Sequence, residues 1–108
     1  MSPFGLRVLR SKALRFTADE CGEGPLVLCL HGFPDHRRSW RHQLPALAEA
    51  GYHAVAPNLR GYEASSQPAD GRYDVAALAE DVAAWKRSFH ERGYCILKNL
   101  FTAAELAL

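Results

Sequence analysis

The chain has little of what marks membrane, secreted or nucleic-acid-binding proteins. Its 108 residues carry a net charge of +1, so a basic surface for nucleic acid or anionic lipid is not expected. The longest apolar run, Pro25 to Leu30, is far shorter than the roughly 20 residues of a membrane span. The three cysteines show no C-x-x-C pair, which favours a reducing, cytoplasmic setting.

The N-terminus lacks the apolar core of a secretory signal. Four basic residues precede the first acidic one: Arg7, Arg10, Lys12 and Arg15. We interpret this stretch as a basic first pair of strands, and a transit peptide is the alternative.

Several catalytic and cofactor motifs are also missing. No two glycines stand four residues apart, so the sequence contains no G-x-S-x-G nucleophile elbow. The dinucleotide fingerprint is absent because Gly22-x-Gly24 continues to Val27, and no Gly-Lys pair could form a phosphate-binding loop. None of the five histidines begins an H-x-D or H-E-x-x-H pattern, so we expect neither a metal nor another cofactor.

Apolar periodicity predicts an α/β protein. Segments 6–10 and 13–17 alternate loosely and are predicted to be antiparallel strands before a glycine-containing turn at 20–24. The continuous apolar runs 25–30 and 53–57 are typical of strands buried on both faces of a sheet. A helix between these two runs makes a βαβ unit, so we expect them to be parallel neighbours.

Two helices and one further strand follow from the same pattern. The first helix is predicted to start near Pro45 and to end at Gly51. The second covers 74–89, begins at an aspartate N-cap, and should pack an apolar stripe onto the sheet. That stripe comprises Val75, Leu78, Val82, Trp85 and Phe89. Residues 94–97 are predicted to be a third parallel strand, and a last helix begins at Thr102.

Four motifs occur in a specific order. They are Gly24-Pro-Leu-Val-Leu-Cys-Leu-His-Gly-Phe-Pro-Asp, Ser39-Trp-Arg-His-Gln-Leu-Pro-Ala-Leu, Ala50-Gly-Tyr, and Arg60-Gly-Tyr followed by Ser65 and Ser66. With this order and spacing, residues 5–85 resemble the start of the α/β-hydrolase fold, particularly that of the epoxide hydrolases. Fluoroacetate-type dehalogenases and some esterases share the His-Gly-Phe-Pro and Arg-Gly-Tyr signatures. The four motifs are therefore specific for the fold but less specific for one family within it.

The resemblance implies a partial three-layer α/β-hydrolase fold with a mostly parallel sheet and its second half missing. Residues 1–85 would be the N-terminal part of the hydrolase domain, and residues 86–108 a divergent tail. The parent family acts on a small-molecule epoxide. An aspartate nucleophile opens the ring to an ester, which a histidine-activated water then cleaves.

The resemblance also assigns an oxyanion loop. Backbone N–H donors in a dry site stabilise the oxyanion that forms as such an ester is cleaved. By the resemblance, the N–H of Phe33 is one of two donors, and its ring lines the substrate pocket together with Asp35. His31 begins the loop, Gly32 permits close backbone approach, and Pro34 fixes the turn. The alternative interpretation is that these residues merely end a strand.

Two residues depart from the family pattern. Asn58 stands where the family usually has aspartate, which removes a charge that could pair with Arg60. Glu63 replaces a usual glycine, so a positive φ there would cost energy. We interpret Arg60-Gly61-Tyr62 as a scaffold turn in which Arg60 pairs with a carboxylate.

The resemblance ends where the nucleophile should follow the helix that holds Trp85. The sequence offers no elbow, acid or base there, and the loop hydroxyls Ser39, Ser65 and Ser66 have no identifiable base. We therefore expect a hydrolase-family fragment that is inactive by itself. A non-enzymatic remnant or interaction fragment is the alternative, and self-association through an uncovered sheet edge is expected in either case.

The tail has a second, weaker resemblance. Through Gly93-Tyr-Cys-Ile-Leu and Thr102-Ala-Ala-Glu-Leu, residues 87–108 resemble the opening of the phytanoyl-CoA dioxygenase family. This implies the N-terminal piece of an Fe(II)/2-oxoglutarate oxygenase fusion as a further alternative. A truncated or frameshifted hydrolase, and a diverged hydrolase with 94–97 as its next strand, also remain open.

Overall fold

The computed structural model describes residues 5–32, 37–89 and 94–98. Within these residues the chain forms five strands and two α-helices. The strands are β1 (Gly5–Ser11), β2 (Leu14–Cys21), β3 (Leu26–Leu30), β4 (His53–Pro57) and β5 (Tyr94–Lys98). The helices are α1 (Gln43–Glu49) and α2 (Val75–Arg87), and short 3-10 turns occupy Arg37–Trp40 and Ala64–Ser66.

The strands form one mixed sheet in the order β1-β2-β4-β3-β5. β3 lies parallel to both β4 and β5, with Leu26 opposite His53 on one side and Tyr94 on the other. The predicted parallel pairing of the two apolar runs is confirmed, and so is the third parallel strand. The β1–β2 hairpin joins β4 in antiparallel orientation, which makes the sheet mixed where the resemblance implied a mostly parallel one.

A helix covers each face of the central strands, which gives the three predicted layers. All five residues of β3 are buried, which explains why its sequence is a continuous apolar run. Leu28 and Val55 face Trp85 of α2, whereas Val27 and Ala54 belong to the cluster around Leu44 of α1. The core is therefore divided by the sheet into two separate apolar clusters.

α2 buries only part of the predicted stripe, which includes Trp85 and Phe89, and it buries Ala77 and Asp81 as well. Its buried residues step by four along the helix: Ala77, Asp81 and Trp85. Val75 is 80% exposed, and Leu78 and Val82 are half-buried, so only part of the predicted stripe packs on the sheet. Trp85 packs edge-to-face on Phe16 of β2, with 4.8 Å between the ring centroids. The helix is rotated relative to the prediction because a charged residue, Asp81, faces the interior.

The helix ends follow the predicted chemistry. The Asp74 side chain accepts a hydrogen bond from the N–H of Ala77 at 2.8 Å, as expected of an N-cap. α1 begins two residues before Pro45, whose missing N–H costs nothing in a first turn. It ends at Glu49, and Gly51, two residues further on, has a φ of +96°. The N–H groups of residues 51 and 52 donate to the carbonyls of residues 48 and 47.

A buried ion pair ties the loop after β4 to α2. Arg60 Nε and Nη2 each donate to the Asp81 carboxylate at 2.7 Å, and Nη1 donates to the carbonyl of Arg72 at 2.9 Å. The Asp81 side chain is 0% exposed, that of Arg60 is 10% exposed, and the hydrogen bonds to Asp81 raise the pKa of Arg60. Arg60 thus pairs with a carboxylate as predicted, and α2 supplies it.

Glu63 does not adopt the positive φ that would cost energy at this position. Its φ of −150° is extended backbone, which any residue adopts. Its carboxylate accepts hydrogen bonds from the N–H and the hydroxyl of Thr17, at 2.5 and 2.7 Å. The side chain therefore anchors the loop after β4 to β2, a contact that glycine could not make.

Two predictions fall beyond the described residues. The helix expected to begin at Thr102 lies outside them, as does most of the tail that resembles a dioxygenase. Among the helices that are described, none is long and apolar enough to span a membrane.

We predict that Asp81→Asn lowers the free energy of unfolding by about 3–5 kcal/mol, because it leaves the buried Arg60 guanidinium without its counter-charge. Urea unfolding followed by tryptophan fluorescence measures the change. Glu80→Gln is the matched control, since Glu80 pairs with Arg72 in a half-exposed position at 3.4 Å. It should change stability by less than about 0.5 kcal/mol. Equal losses in the two variants would contradict a structural role for the Arg60–Asp81 pair.

We also predict that the chain self-associates beside β5. A groove of about 270 Å³ lies between α2 and this strand, and it is lined largely by apolar side chains that include Leu30, Val75, Leu78, Val82 and Ile96. Molar mass measured by light scattering should rise with concentration, and Val75→Lys should lower it. Val8→Lys on the opposite edge strand is the control and should have little effect. A monodisperse monomer at every concentration would refute the prediction.

Candidate functional site

The carboxyl ends of β3 and β4 meet at one edge of the sheet. His31 and Gly32 directly follow β3, and Asn58 and Leu59 directly follow β4. Parallel neighbours bring these ends together, and ligands of open α/β sheets bind at this edge. The structure therefore places the first two predicted loop residues where a catalytic loop would be expected.

His31 connects the two loops. Its side chain is buried, with the residue only 3% exposed. Nε2 accepts a hydrogen bond from the N–H of Leu59, and Nδ1 contacts the carbonyl oxygen of Gly32, both at 3.0 Å. The ring also packs edge-to-face on Tyr62, with 4.5 Å between centroids. His31 is thus held between backbone groups of two loops.

Three predicted site residues, Phe33, Pro34 and Asp35, lie outside the described residues. The oxyanion role of the Phe33 N–H and the pocket role of Asp35 therefore stay predictions. His31 and Gly32 define the point from which this loop leaves the sheet.

The chain beyond the loop is anchored by a second set of polar contacts. The N–H of Arg37 donates to Asn58 Oδ1 at 2.9 Å. The side chains of Arg37 and Arg38 donate to the fully buried Asp19 carboxylate at 3.2 and 3.3 Å. Because Asp19 lies in β2 and Asn58 directly follows β4, the chain on both sides of the predicted loop is fixed to the sheet.

Sequence reasoning missed the roles of Asn58 and Asp19. Asn58 was interpreted as a lost partner of Arg60, whereas its carbonyl oxygen accepts from the backbone of Arg37. Asp19 lies in β2 and is fully buried although it is charged. The available signal was a charged residue inside a strand together with two arginines after the predicted loop. The partners, however, lie 18 and 19 residues apart in the chain.

The loop serines have structural contacts. Ser65 Oγ donates to the carbonyl of Arg15 at 3.0 Å. Ser66 Oγ is buried between the N–H of Gly61 and the carbonyl of Glu63, both at 3.2 Å. The buried Ser39 Oγ has no hydrogen-bond partner among the residues that the structure describes. Among the described contacts, no serine hydroxyl bonds a histidine or a carboxylate, which is the arrangement that would activate a nucleophile.

An apolar cleft adjoins His31. Its volume is about 490 Å³, which is within the usual range for small-molecule sites. It is lined by Leu59, Arg60, Gly61, Tyr62, Tyr73 and Leu78. Tyr62 belongs to this lining and also contacts the His31 ring, so the cleft lies beside the point where the predicted loop begins.

A larger open cavity, of about 640 Å³, lies at the opposite edge of the sheet. There Glu20 contacts Arg7 Nε at 2.7 Å and His53 Nε2 at 2.6 Å. His53 begins β4, so this cavity is at the amino end of the parallel strands and away from the ligand-binding edge. In the described part of the chain, no group of three or more histidine, cysteine or acidic side chains could hold a metal ion.

Comparisons with known proteins agree with this geometry. The family model of the α/β-hydrolase fold matches residues 25–89. The chain is 47% identical over 79 residues to epoxide hydrolase A of Mycobacterium tuberculosis, an alignment that covers 70% of this chain. It is 59% identical over 51 residues to an epoxide hydrolase of Caballeronia sordidicola, covering 47% of this chain and 16% of that protein.

Solved structures of epoxide hydrolases are also similar to this chain. An epoxide hydrolase from an endophytic Streptomyces superposes on 91% of this chain with a TM-score of 0.82 and 39% identity. One from Vigna radiata covers the same share with a TM-score of 0.82 and 36% identity.

The chain spans only part of its relatives. It covers 24% of the M. tuberculosis protein, and 30% and 32% of the Streptomyces and Vigna radiata chains. The matched part includes β3, α1, β4 and α2, which together build the edge with His31 and Gly32. The family match covers more than half of the residues, and the fold, the loop position and the sequence similarity agree: this chain belongs to the α/β-hydrolase fold family and resembles the N-terminal part of the epoxide hydrolases.

Proposed function

We propose that residues 31–35 are the oxyanion loop of an epoxide-hydrolase-like site, with a small-molecule epoxide as the substrate class. The observation that carries the proposal is the position of His31 and Gly32 at the carboxyl end of β3, beside the parallel strand β4. The resemblance to epoxide hydrolases supplies the chemistry, and the anchored position of the loop supports it.

The proposed chemistry needs donors that are oriented before the reaction begins. Cleavage of an ester intermediate develops negative charge on an oxygen, and preorganised backbone N–H groups in a water-poor site stabilise that charge. The N–H of Phe33 is proposed as one such donor. The apolar cleft beside Tyr62 offers room for the non-reacting part of the substrate.

The proposal assigns no nucleophile, acid or base to this chain. The sequence contains no nucleophile elbow, and the described contacts of Ser65 and Ser66 are with backbone groups. We therefore propose that the chain by itself carries part of a hydrolase site. The proposal includes no metal or other cofactor, and the cytoplasmic location stays a prediction from the cysteine pattern.

The apolar groove beside β5 favours a second candidate, an interaction fragment. Val75, which lines this groove, is largely exposed, as expected of a surface that another polypeptide covers. The proposed boundary between the hydrolase part and the tail lies at residue 85. The parallel pairing of β5 with β3 supports the alternative without this boundary, in which 94–98 is the next strand of a diverged hydrolase domain. The oxygenase alternative stays a hypothesis on residues 87–108.

We predict that the isolated chain hydrolyses neither styrene oxide nor nitrophenyl esters above a heat-treated control. Nucleophile, base and oxyanion donors must act together for such turnover. Product formation measured by chromatography and absorbance tests this. Saturable activity that disappears when any one of Ser39, Ser65 or Ser66 is changed would prove the prediction wrong.

The loop itself can be tested in a chimera. Residues 25–89 replace the matching segment of M. tuberculosis epoxide hydrolase A, and epoxide hydrolysis should persist if the loop is competent. Phe33→Pro removes the proposed N–H donor and should lower kcat by about 100- to 1,000-fold. Phe33→Leu keeps the N–H but removes the ring proposed to line the substrate pocket, so it should mainly raise KM. An inactive but folded chimera, or equal kcat losses in both variants, would overturn the proposed function.

A further inference from the structure

We propose that the apolar cleft between the loop after β4 and α2 is a subsite for a neutral aryl group, and that Tyr73 is its specificity-determining residue. The role of this subsite in a reaction rests on the proposed function, whereas binding of an aryl group to the chain requires no catalysis. All six residues that line the cleft belong to the described range 37–89.

Two exposed tyrosine rings line the same cleft. Tyr62 is 37% exposed and Tyr73 is 57% exposed, and both border the cavity of about 490 Å³. Single exposed aromatic side chains are ordinary on protein surfaces, but two in one cavity provide ring faces and edges to a third ring. Leu59 and Leu78 add aliphatic walls. The lining is therefore suited to a flat, apolar group.

Gly61 determines where the Tyr73 ring lies. Its φ of +89° is in the left-handed region that favours glycine. A Cβ at residue 61 would collide with Tyr73 Cε1 and would stand 3.2 Å from Cδ1. The Tyr73 ring thus packs directly on the Gly61 backbone, and a larger residue there would displace it.

The backbone on both sides of Tyr73 is held in place. Arg60 Nη1 donates to the carbonyl of Arg72 at 2.9 Å, which fixes the peptide group that precedes Tyr73. Asp74, which follows it, caps α2 by accepting from the N–H of Ala77 at 2.8 Å. Because the backbone is already ordered, a ligand that packs on the Tyr73 ring pays little to order this wall of the cleft.

The charges in the cleft favour a neutral ligand. Of the six lining residues, Arg60 alone is charged. Its guanidinium donates twice to the buried Asp81 carboxylate, and its side chain is only 10% exposed. An anionic ligand would therefore compete with Asp81 for this cation, and a cationic ligand would find no carboxylate in the lining. A neutral group avoids both costs.

The cleft is continuous with the candidate site. The Tyr62 ring contacts the His31 ring edge-to-face, with 4.5 Å between the centroids, and His31 directly follows β3. A substrate that reacts at this edge of the sheet therefore has the cleft beside it for its substituent. In the proposed function, the epoxide would be at the edge and its aryl substituent between the two tyrosines.

Two ligands that differ in the aromaticity of one ring test the proposal. Phenylethanediol is the vicinal diol formed when water opens styrene oxide, and cyclohexylethanediol carries a saturated ring in place of the phenyl ring. Tyr73→Leu removes the aromatic ring and keeps an apolar side chain, whereas Tyr73→Phe keeps the ring. Tyr52→Leu is the control, because Tyr52 is also exposed but lies at the amino end of β4. Circular dichroism establishes that each variant is folded.

NMR titration of the whole chain measures both dissociation constants. Phenylethanediol should shift the amide signals of Gly61, Tyr73 and Leu78, with a dissociation constant in the roughly millimolar range for so small a ligand. Tyr73→Leu should weaken its binding roughly two- to tenfold relative to cyclohexylethanediol, the size expected for one aromatic pair. Tyr73→Phe and Tyr52→Leu should leave the ratio unchanged. No shifts at the cleft, or an unchanged ratio in folded Tyr73→Leu, would overturn the proposal.

Kinetics in the chimera test the role in the reaction separately. The ratio of kcat/KM for styrene oxide to kcat/KM for cyclohexyloxirane should fall roughly two- to tenfold in Tyr73→Leu and stay the same in Tyr73→Phe. An active chimera whose ratio is insensitive to Tyr73→Leu overturns the specificity role. If the chimera is folded but inactive while the diols bind as expected, the proposed function fails and the aryl subsite stands.

Discussion

The parallel pairing of β3 with β4 is the constraint on which the rest of the structure depends. It brings the residues after Leu30 and after Pro57 to one edge, although they are far apart in sequence. Both strands are buried on both faces, so α1 and α2 must cover them from opposite sides. Once these layers are in place, the backbone groups of the two following loops lie close enough for a single imidazole to join them.

Polar contacts then define the loops more than apolar packing does. Asp19 is buried beneath two guanidinium groups, and Asp81 holds Arg60 through two bonds of 2.7 Å. Breaking such a buried pair leaves a charge in a low-dielectric surrounding, which is costly. Each of these pairs therefore ties a loop to the strands and helices that form the core.

The apolar surface is distributed unevenly. The side of α2 that carries Trp85 is packed on Phe16, while the side that carries Val75 borders an open groove beside β5. Relatives with solved structures are about three times as long as this chain, since it covers 30% and 32% of theirs.

Much of the fold could be predicted from the sequence because local patterns suffice for it. Continuous apolar runs identified β3 and β4, Asp74 marked the start of α2, and Gly51 marked the end of α1. The predicted stripe on α2 is correct only in part: Val82, Trp85 and Phe89 pack in the core, whereas Val75 is exposed. Periodicity counts apolar residues, and the inward charge of Asp81 is stabilised by Arg60, 21 residues away.

The candidate site, like the fold, could be predicted from the sequence only in part. The amino-acid sequence was enough to predict the resemblance to the fold family, the position of His31 and Gly32 after a buried strand, and the lack of a nucleophile elbow. The contact between the His31 ring and the N–H of Leu59 became visible only in the folded chain, as did the acceptor role of Asn58 toward Arg37 and the pairing of Arg60 with Asp81. The physical reason is that hydrogen bonds and ion pairs depend on atoms brought together across 18 to 28 residues of chain, a distance over which sequence patterns carry no geometry.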